Sequence, residues 1–277
     1  MITQSQLREA VRIYEAKRQL DKREQQTRRA RASFRREYQK IFRKQGRLFL
    51  KEFAKLKPLF PRITEANNAA VGDVIPLLNL VFDLTSGEAI EATETAMLAG
   101  FEAGATNLLQ MVAASNYSFE LAFPQAEQYI AQNGALRVSQ IDDTTRKVVR
   151  DIVTRAVQNG TAWNEVATQL IDQFEHFAHR PSYVVSWLNN RAELIAVTEI
   201  GNAYEQGSAT MANRLTSAGL DMEKRWYGAR DNRTSADCLS NMDAGWIPIA
   251  DNFPSGVMQP LNHPGCRHTA LYRRIRQ

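Results

Sequence analysis

Two cysteines in 277 residues are too few for a disulfide framework. Long apolar runs are missing as well. The longest, Val74 to Phe82, contains Pro76 and Asn79 and falls far short of the roughly 20 residues that span a bilayer. The first ten residues hold no apolar signal core, which argues against export by a cleaved leader. A soluble, intracellular protein is expected, with no membrane partner. There is no Gly-x4-Gly-Lys-Ser/Thr phosphate loop, no His-Glu-x2-His helix and no nucleophile–base pairing, so no enzyme is expected. Asp231, Asp237 and Asp243 with His263 and His268 suggest a metal-dependent nuclease only loosely, because they lie in a turn-rich stretch without readable general-base geometry. His176 and His179, near Asp172 and Glu175, read as a solvated helix end.

Glycine and proline are absent from Ile2 to Gln45, where Arg, Lys, Glu, Gln, Ala and Leu dominate. That composition predicts a long helix, roughly 66 Å if continuous at 1.5 Å per residue. Leu7, Val11 and Tyr14 form one apolar stripe. Phe34, Tyr38, Ile41/Phe42, Phe49, Phe53, Leu56 and Phe60 form a second, and Pro58 and Pro61 end the segment. Between the stripes, Asp21 to Ala32 carries almost no side chain larger than Ala that is apolar. A helix there is either solvated or lies against something polar. The charge is just as uneven. Residues 1–57 carry 18 Lys/Arg against 6 Asp/Glu, residues 58–224 carry 10 against 20, and residues 225–277 carry 7 against 4. The net +5 is therefore what remains after a basic arm and an acidic body cancel. Arg28, Arg29, Arg31, Arg35 and Arg36, interleaved with Phe34 and Tyr38, suit phosphate neutralisation rather than base readout, with packaged double-stranded DNA as a candidate partner. Docking on an acidic protein face explains the same cluster equally well.

The middle reads as helical hairpins: a mixed segment over 62–84, a helix from Thr85 to about Ser115 whose Ala/Gly content suggests close packing, a short helix from Pro124 stopped by Asn133-Gly134, another from Ser139 to Asn159-Gly160, one from Thr161 to near Pro181, and one from Arg191 to about Thr216. After Gly219 the texture changes to short strands at 224–228, 246–250 and 269–272 with Pro, Gly, Asn and Asp between them. A module of about 55 residues is marginal on its own core and calls for a metal or a docking surface. The fold class is thus mainly α: a basic helical arm over 1–57, a helical body over 58–219, and a small loop-rich α+β module over 220–277. Both cysteines and two of the four histidines fall in that module, spaced Cys238-x24-His263-x2-Cys266-x-His268. Thiolate and imidazole are the ligands zinc prefers, and four of them suit a closed tetrahedral site. The alternative is a buried cysteine pair with ordinary histidines.

Three blocks resemble the phage Mu F-like head morphogenesis family, the minor head proteins of tailed phages. The first is Arg191-Ala-Glu-Leu-Ile-Ala-Val-Thr-Glu199-Ile200 with Ala203, Tyr204 and Gly207; Val197 stands where the family usually has Arg. The second runs from Trp226 through Asp231, Arg233 and Thr234 to Cys238, with Ser235 where a cysteine is common. The third is His263-Pro-Gly-Cys266-Arg-His268, with His268 in place of a final cysteine. Where a metal is not held, Asp231, Arg233 and Thr234 are expected to form a turn tied to the knuckle. The resemblance implies a structural virion component, assembled in the host cytoplasm and associated with portal, capsid or scaffold proteins inside the head near the portal vertex, with a role in DNA delivery. It leaves a zinc-stabilised DNA-binding or nuclease module as the alternative. A toxin-like enzyme is not expected, because the length leaves no room for a separate catalytic domain.

Overall fold

A computed structural model describes residues 4–55, 68–178 and 191–275. The elements are α1 (Gln4–Ala54), α2 (Asn68–Asp83), α3 (Ser86–Met111), α4 (Phe123–Asn159), α5 (Trp163–Ala178), α6 (Arg191–Ser217), β1 (Met222–Gly228), α7 (Ala236–Asp243), β2 (Trp246–Pro248) and β3 (His268–Arg274). The fold is mainly α with a small three-stranded sheet, as the composition predicts. Both pairings in the β2–β1–β3 sheet are antiparallel, with Arg225 opposite Trp246 and Gly228 opposite His268.

Three local expectations are corrected. The short helix and its successor are one helix, because Asn133-Gly134 does not break α4. A mid-helix glycine costs only about 1 kcal/mol, and the buried Gly134 lies on one stripe with the buried Val138, Ile141, Thr145, Val149 and Ile152. A Cβ at Gly134 would meet only the Glu94 side chain, 2.8 Å from Cγ, which a shift of that flexible chain relieves. The mixed segment contains α2, which carries Pro76 inside it while Val74, Leu78, Val81 and Phe82 bury one face. The third is α7, in a stretch that reads as loop. Leu56, Pro58, Phe60, Pro61, His179 and Pro181 lie outside the described residues.

The chain forms two compact units whose segments interleave: Met1–Ala32, Ala96–Ile130 and Ile195–Gln277 make the first, Ser33–Thr95 and Ala131–Leu194 the second. Composition boundaries at 57 and 219 do not coincide with theirs. In the first unit, α3 and α6 pack backbone against backbone. A Cβ on Gly104 would lie 1.9 Å from Tyr204 O, and one on Gly207 would lie 2.0 Å from Phe101 O. Ser208 Oγ donates to Gly104 O at 3.0 Å across the same crossing. The close packing expected from the Ala/Gly pattern is thus present. Phe101, Leu108, Met211 and Leu215 of these helices share a core with Met222, Ala270 and Tyr272 of the sheet.

In the second unit the aromatic stripe of α1 is the core. Phe42 meets Phe177 at 5.5 Å, Phe49 meets Phe174 at 6.0 Å, and Tyr38 shares a hydrogen bond of 3.0 Å with Thr93. Arg191 lies over the rings of Phe42 and Phe177, donates to the carbonyl of Ile141 and faces Asp142. Burial raises the Asp142 carboxyl from 3.8 to about 6, against the opposing pull of Arg146 and Arg191. The stability that Asp142 contributes is therefore complete below the ordinary carboxylate range and is lost as pH rises through about 6. Chemical denaturation at pH 4 and pH 7 checks this. Relative to Asp142→Asn, the wild-type chain should lose up to about 3 kcal/mol between the two. A difference that does not change with pH contradicts the assignment.

Candidate functional site

The C-terminal module is assembled by turns. Asp231 Oδ1 accepts from the backbone N–H of Arg233 at 3.0 Å, and Thr234 Oγ1 donates to Ala229 O at 2.8 Å. Arg267 grips Asp231 with its two terminal guanidinium nitrogens, at 2.8 and 2.5 Å. These bonds hold the Asp231 carboxyl well below the usual carboxylate range. The loop is thereby tied to the knuckle. Ser235 then caps α7: its Oγ accepts from Cys238 N at 3.3 Å. The position where the resembling motif carries a cysteine thus has a capping residue here, and the cap sets Cys238 in the first turn of α7.

The knuckle is a tight turn. Cys266 N donates to His263 O at 3.1 Å, with Pro264 second and Gly265 third at φ 69°. That is the arrangement of a type II turn, whose third position favours glycine. Gly265 N donates to the Thr198 hydroxyl at 3.1 Å, fixing the turn on α6. The outcome is that Cys238 Sγ lies 3.8 Å from Cys266 Sγ and 3.8 Å from His263 Nε2. Two sulfurs bound to one zinc at 2.3 Å with tetrahedral angles would be about 3.8 Å apart. His263 Nδ1 meets Pro264 O at 3.1 Å, which leaves Nε2 as the free lone pair facing the sulfurs. The donor atoms of Cys238, His263 and Cys266 all lie within 4.8 Å of one another. Both cysteines are buried and His263 is exposed.

His268 stands outside that mutual group. Its Nδ1 lies 3.2 Å from Cys266 Sγ, and its Nε2 lies 3.2 Å from Ala229 O. Burial lowers its pKa, which favours the neutral ring. Gly228 makes room for it, since a Cβ there would stand 2.3 Å from His268 Cδ2. Trp226 closes the floor, packed edge-on to Phe253 at 5.0 Å in a cluster with Cys238, Met242 and Cys266. Glu199 is buried on α6.

A residue that sequence reasoning missed joins this module to α1. Arg23 donates to the backbone carbonyl of His268 at 2.6 Å and pairs with Glu205 at 3.2 Å. Glu205 is fully buried and also accepts from Thr269 Oγ1 at 2.6 Å and Ala270 N at 3.0 Å. Burial raises its pKa, and Arg23 with the two hydrogen bonds opposes the shift. The only hint in the sequence was a basic residue in a segment with nothing apolar to bury.

The arginine cluster divides. Arg31 pairs with Glu24 and Arg35 with Glu193, each at 2.8 Å. Arg28, Arg29 and Arg36 are exposed and have no ionic partner among the described residues. Arg47 and Lys51, which the sequence does not single out, are exposed on the same stripe of α1 as Arg36.

Residues 147–271 match the family described as phage Mu protein F like protein. The match runs from within α4 into β3, so it takes in α6, the knuckle and most of the sheet, and the resemblance carried by the three motif blocks is borne out there. It supports a phage head-morphogenesis protein of a structural family, and it implies a virion component that associates with other head components. No curated protein and no solved structure matches. Among the described residues, no helix is long and apolar enough to cross a membrane.

Proposed function

We propose that the chain is a minor head component that sits inside the phage head near the portal vertex, bound to portal protein and to capsid or scaffold, and that it aids delivery of the packaged DNA. The family match over residues 147–271 carries this reading. The module supports it, because its polar chemistry goes into turns, caps and docking to α6 rather than into an open reaction site. The carboxylate of Asp231, which a nuclease would need free, is already held by Arg267. Heads assembled with and without portal protein test the reading. The chain should be incorporated only where portal is present, at far fewer copies than the major capsid protein. Equal incorporation into portal-less heads would overturn it.

Within this role, Cys238, His263 and Cys266 would hold one zinc ion, with His268 buttressing Cys266 from behind. A bound ion would crosslink α7 to the knuckle and stabilise the small module. Purified full-length chain should carry about one zinc, and Cys238→Ser should lose it and melt at lower temperature. Near-zero metal with an unchanged melting temperature would remove the site.

Double-stranded DNA is the second proposed partner, through Arg28, Arg29 and Arg36 rather than the whole cluster. Each arginine withdrawn from a phosphate should lower the slope of log affinity against log salt by about 1. Replacing these three with Gln should therefore flatten the slope by about 3, whereas replacing Arg31 and Arg35 should hardly change it. The reverse pattern would refute the assignment.

A further inference from the structure

We propose that Cys238 and Cys266 form a redox pair, closing into a disulfide when the head leaves the reducing cytoplasm in which it is assembled. The two thiols come from separate elements, α7 and the knuckle, yet both are free, buried and only 3.8 Å apart at sulfur. A disulfide needs about 2.05 Å, so each sulfur has to approach by about 0.9 Å. Cys266 Sγ lies 3.2 Å from His268 Nδ1, and its turn is fastened to α6 through Thr198, which holds one side of the pair in place.

The oxidant is a hydroperoxide. Burial of both sulfurs screens them from bulky disulfide oxidants, and a molecule as small as hydrogen peroxide reaches them when the module opens locally. One sulfur attacks a peroxide oxygen. A sulfur–oxygen bond forms as the oxygen–oxygen bond breaks, and the departing oxygen leaves as water with a proton, the thiol's own in the metal-free chain and one from solvent where the sulfur leaves zinc as a thiolate. The second sulfur then attacks the sulfenic sulfur. The sulfur–sulfur bond forms, the sulfur–oxygen bond breaks, and a second water leaves with the second proton. The thiols give up two electrons and the peroxide takes them.

The cytoplasm keeps dithiols reduced, and the medium around a particle outside the cell does not. The pair would thus be a staple that changes its bond with its compartment. This deepens the zinc reading, on which it rests for what the thiols hold before oxidation. Closure would remove two of the three metal ligands and replace a coordinate crosslink with a covalent one across the same gap.

The test uses the full-length chain, loaded with zinc or stripped by chelator, and exposed to hydrogen peroxide. Free thiols should fall from two to none, with one intramolecular Cys238–Cys266 link by peptide mapping and recovery in dithiothreitol. The loaded chain should release one zinc per disulfide. Thiols that stay free, that advance separately to sulfinic acids, or that link different chains would overturn the proposal. A chain that holds zinc and never closes the bond overturns this proposal alone; a chain that closes it but never holds zinc overturns the metal reading alone.

Discussion

A guanidinium and a carboxylate shielded from water tie α1 to α6 within the first unit. Glu205 has no exposed side-chain surface, and Arg23 keeps only 12 %. A carboxylate in such a place stays charged only if it is well surrounded, and Glu205 gains Arg23, the Thr269 hydroxyl and the Ala270 amide. Because Arg23 also reaches the carbonyl of His268, one side chain of α1 touches both α6 and the first residue of β3. Gly201 is the clearance for this bridge, since a Cβ there would stand 2.7 Å from Arg23 Nη2. The knuckle, fastened to α6 through Thr198, inherits its position from the same framework.

In both units α1 is a structural member rather than an appendage. Its aromatic stripe is core in the second unit, and its polar stretch carries the ionic bridge in the first. What remains for solution is a reduced set of arginines. Arg31 and Arg35 pair with Glu24 and Glu193, whereas Arg28, Arg29 and Arg36 are exposed with no ionic partner among the described residues. The excess positive charge of the N-terminal segment is thus partly internal, balancing acids of the helical body.

Most of the architecture was legible because it rests on local physics. Helix periodicity located α3, α5 and α6 to within a residue or a few, and the strands were marked by their β-branched and aromatic runs between turn residues. The polar stretch from Asp21 to Ala32 left solvent or a polar neighbour equally open, and nothing local could name Glu205, which lies far along the chain. Asn133-Gly134 misled because a weak local breaker loses to a continuous buried stripe on α4. The Ser235 position could be seen only as a missing ligand, since its capping bond to Cys238 exists once α7 has formed. The four-residue Cys/His pattern was visible, but spacing alone could not separate the three converging donors from His268, whose second nitrogen faces Ala229.

The Arg23–Glu205 bridge, which ties the basic helix to α6 beside the module, is open to a double-mutant cycle with Arg23→Met and Glu205→Gln, read by denaturation with the buried Trp226 as reporter. Each single change should cost about 3–5 kcal/mol by stranding a buried partner. The double variant should cost clearly less than the sum, with a coupling of about 2 kcal/mol. Single costs below about 1 kcal/mol that simply add would mean that the bridge does not hold α1 in place.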